Sequence, residues 1–297
     1  MRCEKTMAEI TLFKNIAQKI PLILRVGCPS KYPLGNCSII PYDNDKYLCA
    51  AREFYYFLRN GYGEHPWGSY INMGMHFCFL DRNFFPIVEN HKLISKITGM
   101  ETGDVAFEDP RLFKWKDYFL CSCSAINPKM ENAFGRVAIQ VFALDFSKKN
   151  IVGLHSVFNS RKYLADNTCE KNWMGVQDKV GDMVQLIGKN GINVINVLNK
   201  TTQIIPTKIE MPSNIRGNTP LLKLDDGGSI CIVHWKNAMN QMDYYHNFVL
   251  FDSNLRIESI SQSFKFDNVF PTEFCSSMFN LIDSSKIGIT VCENDCF

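Results

Sequence analysis

Pro220-Leu221-Leu222-Lys223-Leu224-Asp225-Asp226-Gly227-Gly228-Ser229-Ile230-Cys231-Ile232 is the stretch that decides the fold. Two apolar runs flank Asp-Asp-Gly-Gly, the composition of a β-hairpin whose turn needs residues that accept positive φ. The pattern recurs over 38–51 around Asp43-Asn44-Asp45 and over 112–121 around Lys116-Asp117. It returns over 175–186 around Asp178-Lys179 and over 278–290 around Asp283-Ser284-Ser285. A second hairpin follows in most units, with related turns within Phe79 to Phe84, Ala143 to Ile151, Val197 to Ile204 and Leu250 to Ile257.

Two hairpins per unit make four strands, which is one propeller blade. Unit starts at Asn36, Glu108, Glu170, Arg216 and Glu273 are 72, 62, 46 and 57 residues apart, lengths that suit a four-stranded blade with variable loops. The expected fold is therefore all-β, a five-bladed β-propeller forming a single domain over 1–297. The last unit holds one hairpin only, so the N-terminal segment is expected to supply its outer strands, closing the ring and covering a sheet edge. A twenty-strand sandwich, or a pair of sandwiches, is the competing arrangement. Periodic units favour the radial one.

Composition narrows the function classes. Hydrophobic residues make up 46% and charged residues 21%, ordinary for a globular protein. A net charge of +2 gives no general attraction to nucleic acid or to a membrane, so any anion site must be local. No apolar run approaches the ~18 residues of a membrane span. Lys14, Lys19 and Arg25 interrupt every apolar run that would serve as a signal peptide. The twelve cysteines lack a regular framework; Cys49, Cys78 and Cys231 sit inside apolar runs, and Cys121 and Cys123 share one strand face. Cys292 and Cys296 have no partner pair at zinc-ligand spacing. Free thiols point to a reducing compartment, and the expected localisation is cytoplasmic.

The chemistry concentrates in Phe107-Glu108-Asp109-Pro110-Arg111-Leu112-Phe113, two acids, a proline and an arginine at the mouth of a strand. Pro110 is expected to push Asp109 toward an extended conformation, and Arg111 to orient that acid or to bind an anion of its own. A surface ion pair is the bland alternative. In a propeller the first strand of each blade lines the axis, so first-strand entrances converge. Here they are Asn36-Cys37-Ser38, Glu108 to Arg111, Glu170-Lys171-Asn172-Trp173, Arg216-Gly217-Asn218-Thr219-Pro220 and Glu273-Phe274, all polar or charged at one phase. Second strands end on Arg52-Glu53, Asn127, His234-Trp235-Lys236 and Glu293-Asn294-Asp295, with Tyr244-Tyr245-His246 opening the next strand. Arg52, Arg111, Lys171 and Arg216 are expected to gather around one or two of these acids, and cations converging in that way imply an anionic ligand; phosphate fits best. Trp67, Trp173 and Trp235 suit either a sugar ring or the core.

Glu108-Asp109-Pro110-Arg111, Lys171, the Gly217-Asn218-Thr219-Pro220 turn before a strand ending in His234, Tyr244-x-His246 leading into Leu250-Phe251-Asp252, and Asp295 occur in a specific order. From about Cys37 to Asp295 this order resembles glycoside hydrolase family 130, five-bladed propellers acting as β-mannoside phosphorylases and hydrolases, and related mannosyltransferases. The resemblance implies that Asp109 is the general acid and that Arg52, Arg111 and Lys171 surround the phosphate, with His234, Tyr245 and His246 nearby. Glu108, Asn172, Trp173, Arg216, Asn218, Glu273 and Asp295 would then meet the sugar. Glu170-Lys171-Asn172-Trp173 and Arg216 depart from the family's usual wording.

An inverting hydrolase needs an acid and a second carboxylate at roughly 6.5–9.5 Å to activate water. A phosphorylase replaces that base with phosphate and needs cations there instead. With a sugar-phosphate or nucleotide-sugar donor, the same cations hold the leaving phosphate while Asp109 acts as base on an acceptor hydroxyl. The expected function is thus an inverting glycosyltransferase, mannose-like by resemblance, acting on a carbohydrate acceptor. The alternatives are a β-mannoside-type phosphorylase, a hydrolase using Glu273 or Asp295, and a non-catalytic sugar-binding propeller. No cofactor, metal, nucleic-acid partner or membrane span is expected. Asp43-Asn44-Asp45 matches the Asp-x-Asp metal pattern but falls at a hairpin turn, where such residues are common.

Overall fold

The computed structural model describes residues 34–53, 57–59, 62–64, 74–87, 92–94, 106–126, 137–147, 150–160, 171–187, 191–212, 214–237, 243–266 and 272–293. No α-helix occurs among the described residues. The first sheet contains β1 (Leu34–Pro41), β2 (Tyr47–Glu53), β5 (Met75–Leu80) and β6 (Lys92–Ile94) in that order, with the small hairpin β3 (Phe57–Arg59) and β4 (Tyr62–Glu64) inserted between β2 and β5. The second is β7 (Ala106–Trp115), β8 (Tyr118–Ile126), β9 (Val137–Ser147) and β10 (Asn150–Asn159). The third is β11 (Met174–Gly175), β12 (Asp182–Leu186), β13 (Ile192–Asn196) and β14 (Thr201–Ile205). In the fourth, the innermost layer is broken into β15 (Arg216–Gly217) and β16 (Leu222–Lys223), both paired to β17 (Ser229–Lys236), followed by β18 (Tyr244–Phe251) and β19 (Ile257–Ile260). The chain then forms the two-stranded hairpin β20 (Glu273–Asn280) and β21 (Ile287–Glu293).

Four antiparallel meanders of four layers each are thus arranged as propeller blades, and the turns fall where the hairpin pattern places them. The strands expected from the N-terminal segment lie outside the described residues, as do Trp67, Asn127, Glu170 and Asp295. The loops after the third strands are built alike in blades one and four. Asp81 Oδ1 accepts the Asn83 and Phe85 amides at 2.8 and 2.9 Å, and Asp252 Oδ1 accepts those of Asn254 and Arg256 at 2.8 Å each. Both loops carry an apolar residue in the left-handed region, Phe84 at φ 65° and Leu255 at φ 62°.

Both faces of the inner strands are buried, so alternation sorts side chains between two neighbouring blades rather than between core and water. Along β2, Leu48 and Ala50 pack with Phe77, Phe107, Leu112 and Phe142 against blade two. Tyr47, Cys49 and Ala51 turn the other way, toward Phe279 of β20. Phe113 and Trp115 meet Trp173, Met183 and Ile195 at the next seam, and Met174, Val176 and Val184 meet Cys231, Val233 and Phe251 at the one after. Cys121 and Cys123 do share a face, the seam between blades one and two. The seam residues fit closely: a β-carbon on Gly175 would lie 2.4 Å from the Phe113 ring.

Polar contacts run the same course around the axis. The Leu112 amide donates to Ser38 Oγ at 2.8 Å, Asp178 N to Lys114 O at 3.0 Å, and Leu221 N to Gly175 O at 2.9 Å. Leu222 packs on Cys275, and the Ile39 amide donates to Ser277 Oγ at 2.9 Å. The inner strands therefore touch in sequence from β1 through β7, β11, β16 and β20 and back to β1.

Candidate active site

Strand register gathers the polar residues at one end of this ring. Gly35 pairs with Arg52, Glu108 with Ser124, Arg216 with His234, and Glu273 with Glu293. Each entrance of an innermost strand thus lies beside the exit of the second. Two of the entrances are β-bulges: residues 36–37 intervene between the Gly35 and Ser38 pairings, and residues 109–110 between those of Glu108 and Arg111. Asn36, Asp109 and Asn172, at the same phase in three blades, have φ of 47°, 52° and 62°.

This corrects the extended conformation expected for Asp109. Pro110 does stiffen the backbone, but the bulge needs a left-handed residue, and Asp and Asn accept that region better than other side chains do. The bulge turns the carboxylate into the mouth of the ring, where Asp109 is 9% exposed. Its Oδ1 accepts a hydrogen bond from Asn36 Nδ2 at 2.7 Å and lies 3.3 Å from Arg52 Nη1. Arg52 Nη1 also reaches Glu108 Oε1 at 3.4 Å, and Lys171 Nζ reaches Glu108 Oε2 at 3.1 Å. Five residues from three blades form one charged network. Burial pushes the Asp109 carboxyl up, but the charges of Arg52, Arg111 and Lys171 and the Asn36 hydrogen bond outweigh it and hold it below the usual carboxylate range. Asp109 is accordingly an ionised base at neutral pH.

Arg111 does not stand beside an open anion site. It is fully buried, donating through Nε to Asn218 O at 2.5 Å, through Nη1 to Asp109 O at 2.9 Å and through Nη2 to Asn172 Oδ1 at 2.9 Å. Its guanidinium lies 5.6 Å from the centre of the Phe274 ring. One fork of donors therefore ties the entrances of blades two, three and four together over β20. It orients the acid through the Asp109 backbone rather than through the carboxylate.

His234 is held by Asn218, with Nδ1 2.6 Å from Oδ1, and stacks on Tyr244 at 5.2 Å between ring centres. Burial, with the charges of Arg111 and Lys236 nearby, pushes its pKa well down, so the ring is neutral. His246 is enclosed by Phe264 and Phe266, and burial pushes its pKa down to about 3. Tyr245 is on the opposite face of β18, stacked on Trp235 at 4.7 Å with Lys265 over it, so the pleat separates it from both histidines. Trp173 is 1% exposed and packs on Phe158 in the seam between blades two and three. Glu273 is fully buried, its Oε2 accepting the Phe266 amide at 2.7 Å. Arg216 is exposed near Lys171, and Asp295 is outside the described residues.

The structure thus brings together Arg52, Glu108, Asp109, Lys171 and, through Arg111, Asn172 and Asn218. Asn36, which the sequence places at an entrance but gives no role, is the member added by the structure. Its signal is positional: an Asx residue two before Ser38, matching Asp109 in the next unit. Among the described residues, no three His, Cys, Asp or Glu side chains are grouped to hold a metal ion.

No protein-family model and no curated protein matches the sequence. Solved structures do match the fold. A mannose phosphorylase from Leishmania mexicana, solved with a phosphate ion, superposes with a TM-score of 0.56 at 13% identity over 99% of this chain and 90% of that one. A GDP-Man-dependent mannosyltransferase from the same organism gives 0.55 at 13% identity, over 98% of this chain and 91% of that one. A glycosyl hydrolase from Bacteroides ovatus gives 0.53 at 14% identity, over 92% and 90%. What they share with this chain is the fold.

Proposed function

We propose that the protein is a carbohydrate-active enzyme, an outlying relative of the family 130 propellers, that transfers a glycosyl group from a phosphate-bearing donor to a carbohydrate hydroxyl with inversion. The hairpin β20–β21 is read as the inner half of a fifth blade, supported by its contacts with both the fourth blade and β1. The observation that carries the functional reading is the Asp109 carboxylate, held ionised at the mouth of the ring with Arg52 beside it and Lys171 one residue pair away. An ionised carboxylate buried at the mouth of the ring is a base. It takes the proton of an acceptor hydroxyl as that oxygen bonds to the anomeric carbon, while the bond from that carbon to the phosphate oxygen breaks. The leaving phosphate keeps the electron pair, and Arg52 and Lys171 offset its charge.

Phosphorolysis runs the same groups backward: Asp109 first takes up a proton, against the pull of the neighbouring cations, and gives it to the leaving oxygen as a bound phosphate bonds to the anomeric carbon. The phosphate ion in the Leishmania phosphorylase favours keeping this second reading. Hydrolysis is less well supported: Glu273 is buried and engaged by the Phe266 amide, an unsuitable setting for activating water.

The test is incubation with sugar 1-phosphates and nucleotide sugars, mannose-based ones first, in the presence of oligosaccharide acceptors. Release of phosphate or nucleotide coupled to a longer oligosaccharide is the expected result. Cleavage of oligosaccharides by water without any phosphate requirement would replace the proposal with a hydrolase.

A further inference from the structure

A cleft of about 330 Å³ opens between the third and fourth blades beside the charged network, lined by Lys171, Asn172, Gln185, Ile187, Arg216 and Gly217 among others. Among the described residues, its ionisable lining is cationic only, Lys171 and Arg216. The contrast with the neighbouring network is direct, since there Glu108 and Asp109 answer Arg52 and Lys171. Arg216 donates from Nη1 to the Ile215 carbonyl at 2.8 Å, and among the described residues no carboxylate pairs with it. Asn172 has its orientation set from behind: Oδ1 accepts from Arg111, so the N–H₂ end is what the amide offers the cleft. Gly217 lets the two blades that form the cleft approach closely, because a β-carbon there would come within 2.5 Å of the Asn172 carbonyl oxygen. Two cations and a fixed amide donor around a concave space recognise an anion.

Lys171 belongs to both places. It bridges to Glu108 on one side and lines the cleft on the other, so an anion in the cleft lies next to one held at Arg52. We infer that this cleft is a second anion subsite, taking the distal phosphoryl group of the donor, and that the donor class is a nucleoside diphosphate sugar rather than a sugar monophosphate. This rests on the glycosyl-transfer reading above. The volume lies at the lower end for small-molecule sites, enough for part of a donor and too small for a chain of sugars. On transfer, the departing diphosphate gains a negative charge on its proximal phosphoryl group, at Arg52 and Lys171, while Arg216 holds the distal one in place. A phosphorylated acceptor would present the same anion chemistry from another source.

The experiment titrates inorganic phosphate, inorganic pyrophosphate and a sugar 6-phosphate into the full chain by calorimetry at one fixed salt concentration. Arg216→Gln and Arg216→Lys are compared with the wild type, and thermal unfolding checks that each variant is folded. Pyrophosphate is expected to bind the wild type at least about tenfold more tightly than phosphate. Arg216→Gln is expected to weaken pyrophosphate about tenfold, the scale of one partly exposed charge-assisted hydrogen bond, and to leave phosphate within about twofold. Arg216→Lys should recover part of the loss. Equal affinity for the two anions, or an equal loss of both in Arg216→Gln, would overturn the subsite; a loss confined to the sugar 6-phosphate would assign it to the acceptor instead. If pyrophosphate discrimination holds while no nucleotide sugar turns over, the subsite stands and the transfer reading falls. If nucleotide sugars turn over with a KM indifferent to Arg216→Gln, the transfer reading stands and the subsite falls.

Discussion

Asp109→Asn and Asp109→Ala are expected to abolish turnover to the same degree while differing in stability, and the difference comes from the backbone. At φ 52° the residue sits where asparagine is at least as comfortable as aspartate, whereas alanine costs about 1–2 kcal/mol. The side chain is 13% exposed and accepts from Asn36 and Arg52, so losing its charge removes charge-assisted hydrogen bonding. Such a bond is worth about 1.5–3 kcal/mol. Arg52 keeps Glu108 at 3.4 Å and is not left as an isolated buried charge, which places the asparagine variant near the low end, about 1.5 kcal/mol. Alanine adds the backbone cost, giving about 3 kcal/mol. Removing a general base lowers the rate by roughly 10²–10⁴ in either case. Denaturant unfolding and a coupled assay for released phosphate or nucleotide measure the two quantities. Turnover of Asp109→Asn within threefold of wild type would refute Asp109 as the base, and equal destabilisation by the two substitutions would refute the bulge argument.

The pH dependence has a defined sign. Because the folded Asp109 carboxyl titrates below the usual range, its stabilising contribution is complete above about pH 4 and is lost as pH falls through the lower folded value. Asp109→Asn should flatten that part of a stability curve measured by denaturation. His246, with burial holding it at about 3, binds its proton in the unfolded chain first, so stability should fall as pH drops from about 6.5 toward that value. His234, also held well below the usual range, adds to the same slope, so His246→Phe, which keeps an aromatic ring against Phe266, should reduce it without abolishing it in the same measurement. Gly175→Ala drives a methyl group into the Phe113 ring and is expected to cost about 1–3 kcal/mol by thermal or denaturant unfolding. Arg111→Lys cannot reproduce donors to Asn218, Asp109 and Asn172 at once, and should destabilise by about 3 kcal/mol with a loss of activity; wild-type stability in this variant would contradict the role given to the guanidinium.

The architecture was legible because the hairpin signal is local. Asp-Asp-Gly-Gly at 225–228 or Asp43-Asn44-Asp45 carries its turn in a few residues, and repetition supplies the radial order. The charged network was partly legible for the same reason, since Arg52, Asp109 and Lys171 fall at matching phases of successive units. What phase does not convey is which way a side chain turns once the backbone bulges. Arg111 has the charge of an anion ligand, and only the carbonyls of Asn218 and Asp109 and the amide of Asn172, contributed by three blades, show that each of its nitrogens is already engaged. Tyr245 and His246 are adjacent in sequence, yet the pleat puts them on opposite faces. Trp173 reads equally as a stacking platform or a seam residue, and its neighbour Phe158, remote in the sequence, decides where it packs. Asn36 stands at a converging entrance in the sequence but carries no role there, because an isolated asparagine before a strand has no chemistry of its own until Asp109 is placed against it.

The contact between β1 and β20 has a kinetic consequence. Ile39 and Ser277 are 238 residues apart, Ser276 bonds the Cys37 carbonyl, and the Ile282 amide donates to the Tyr47 hydroxyl across a similar separation. Every such contact waits until residues 276–282 have been made, and loop-closure entropy then slows its formation. A ribosome-bound chain stalled before residue 273 would therefore expose the flank of β2 that Phe279 later covers. Chaperone binding to such nascent chains should fall abruptly once the β20 sequence emerges.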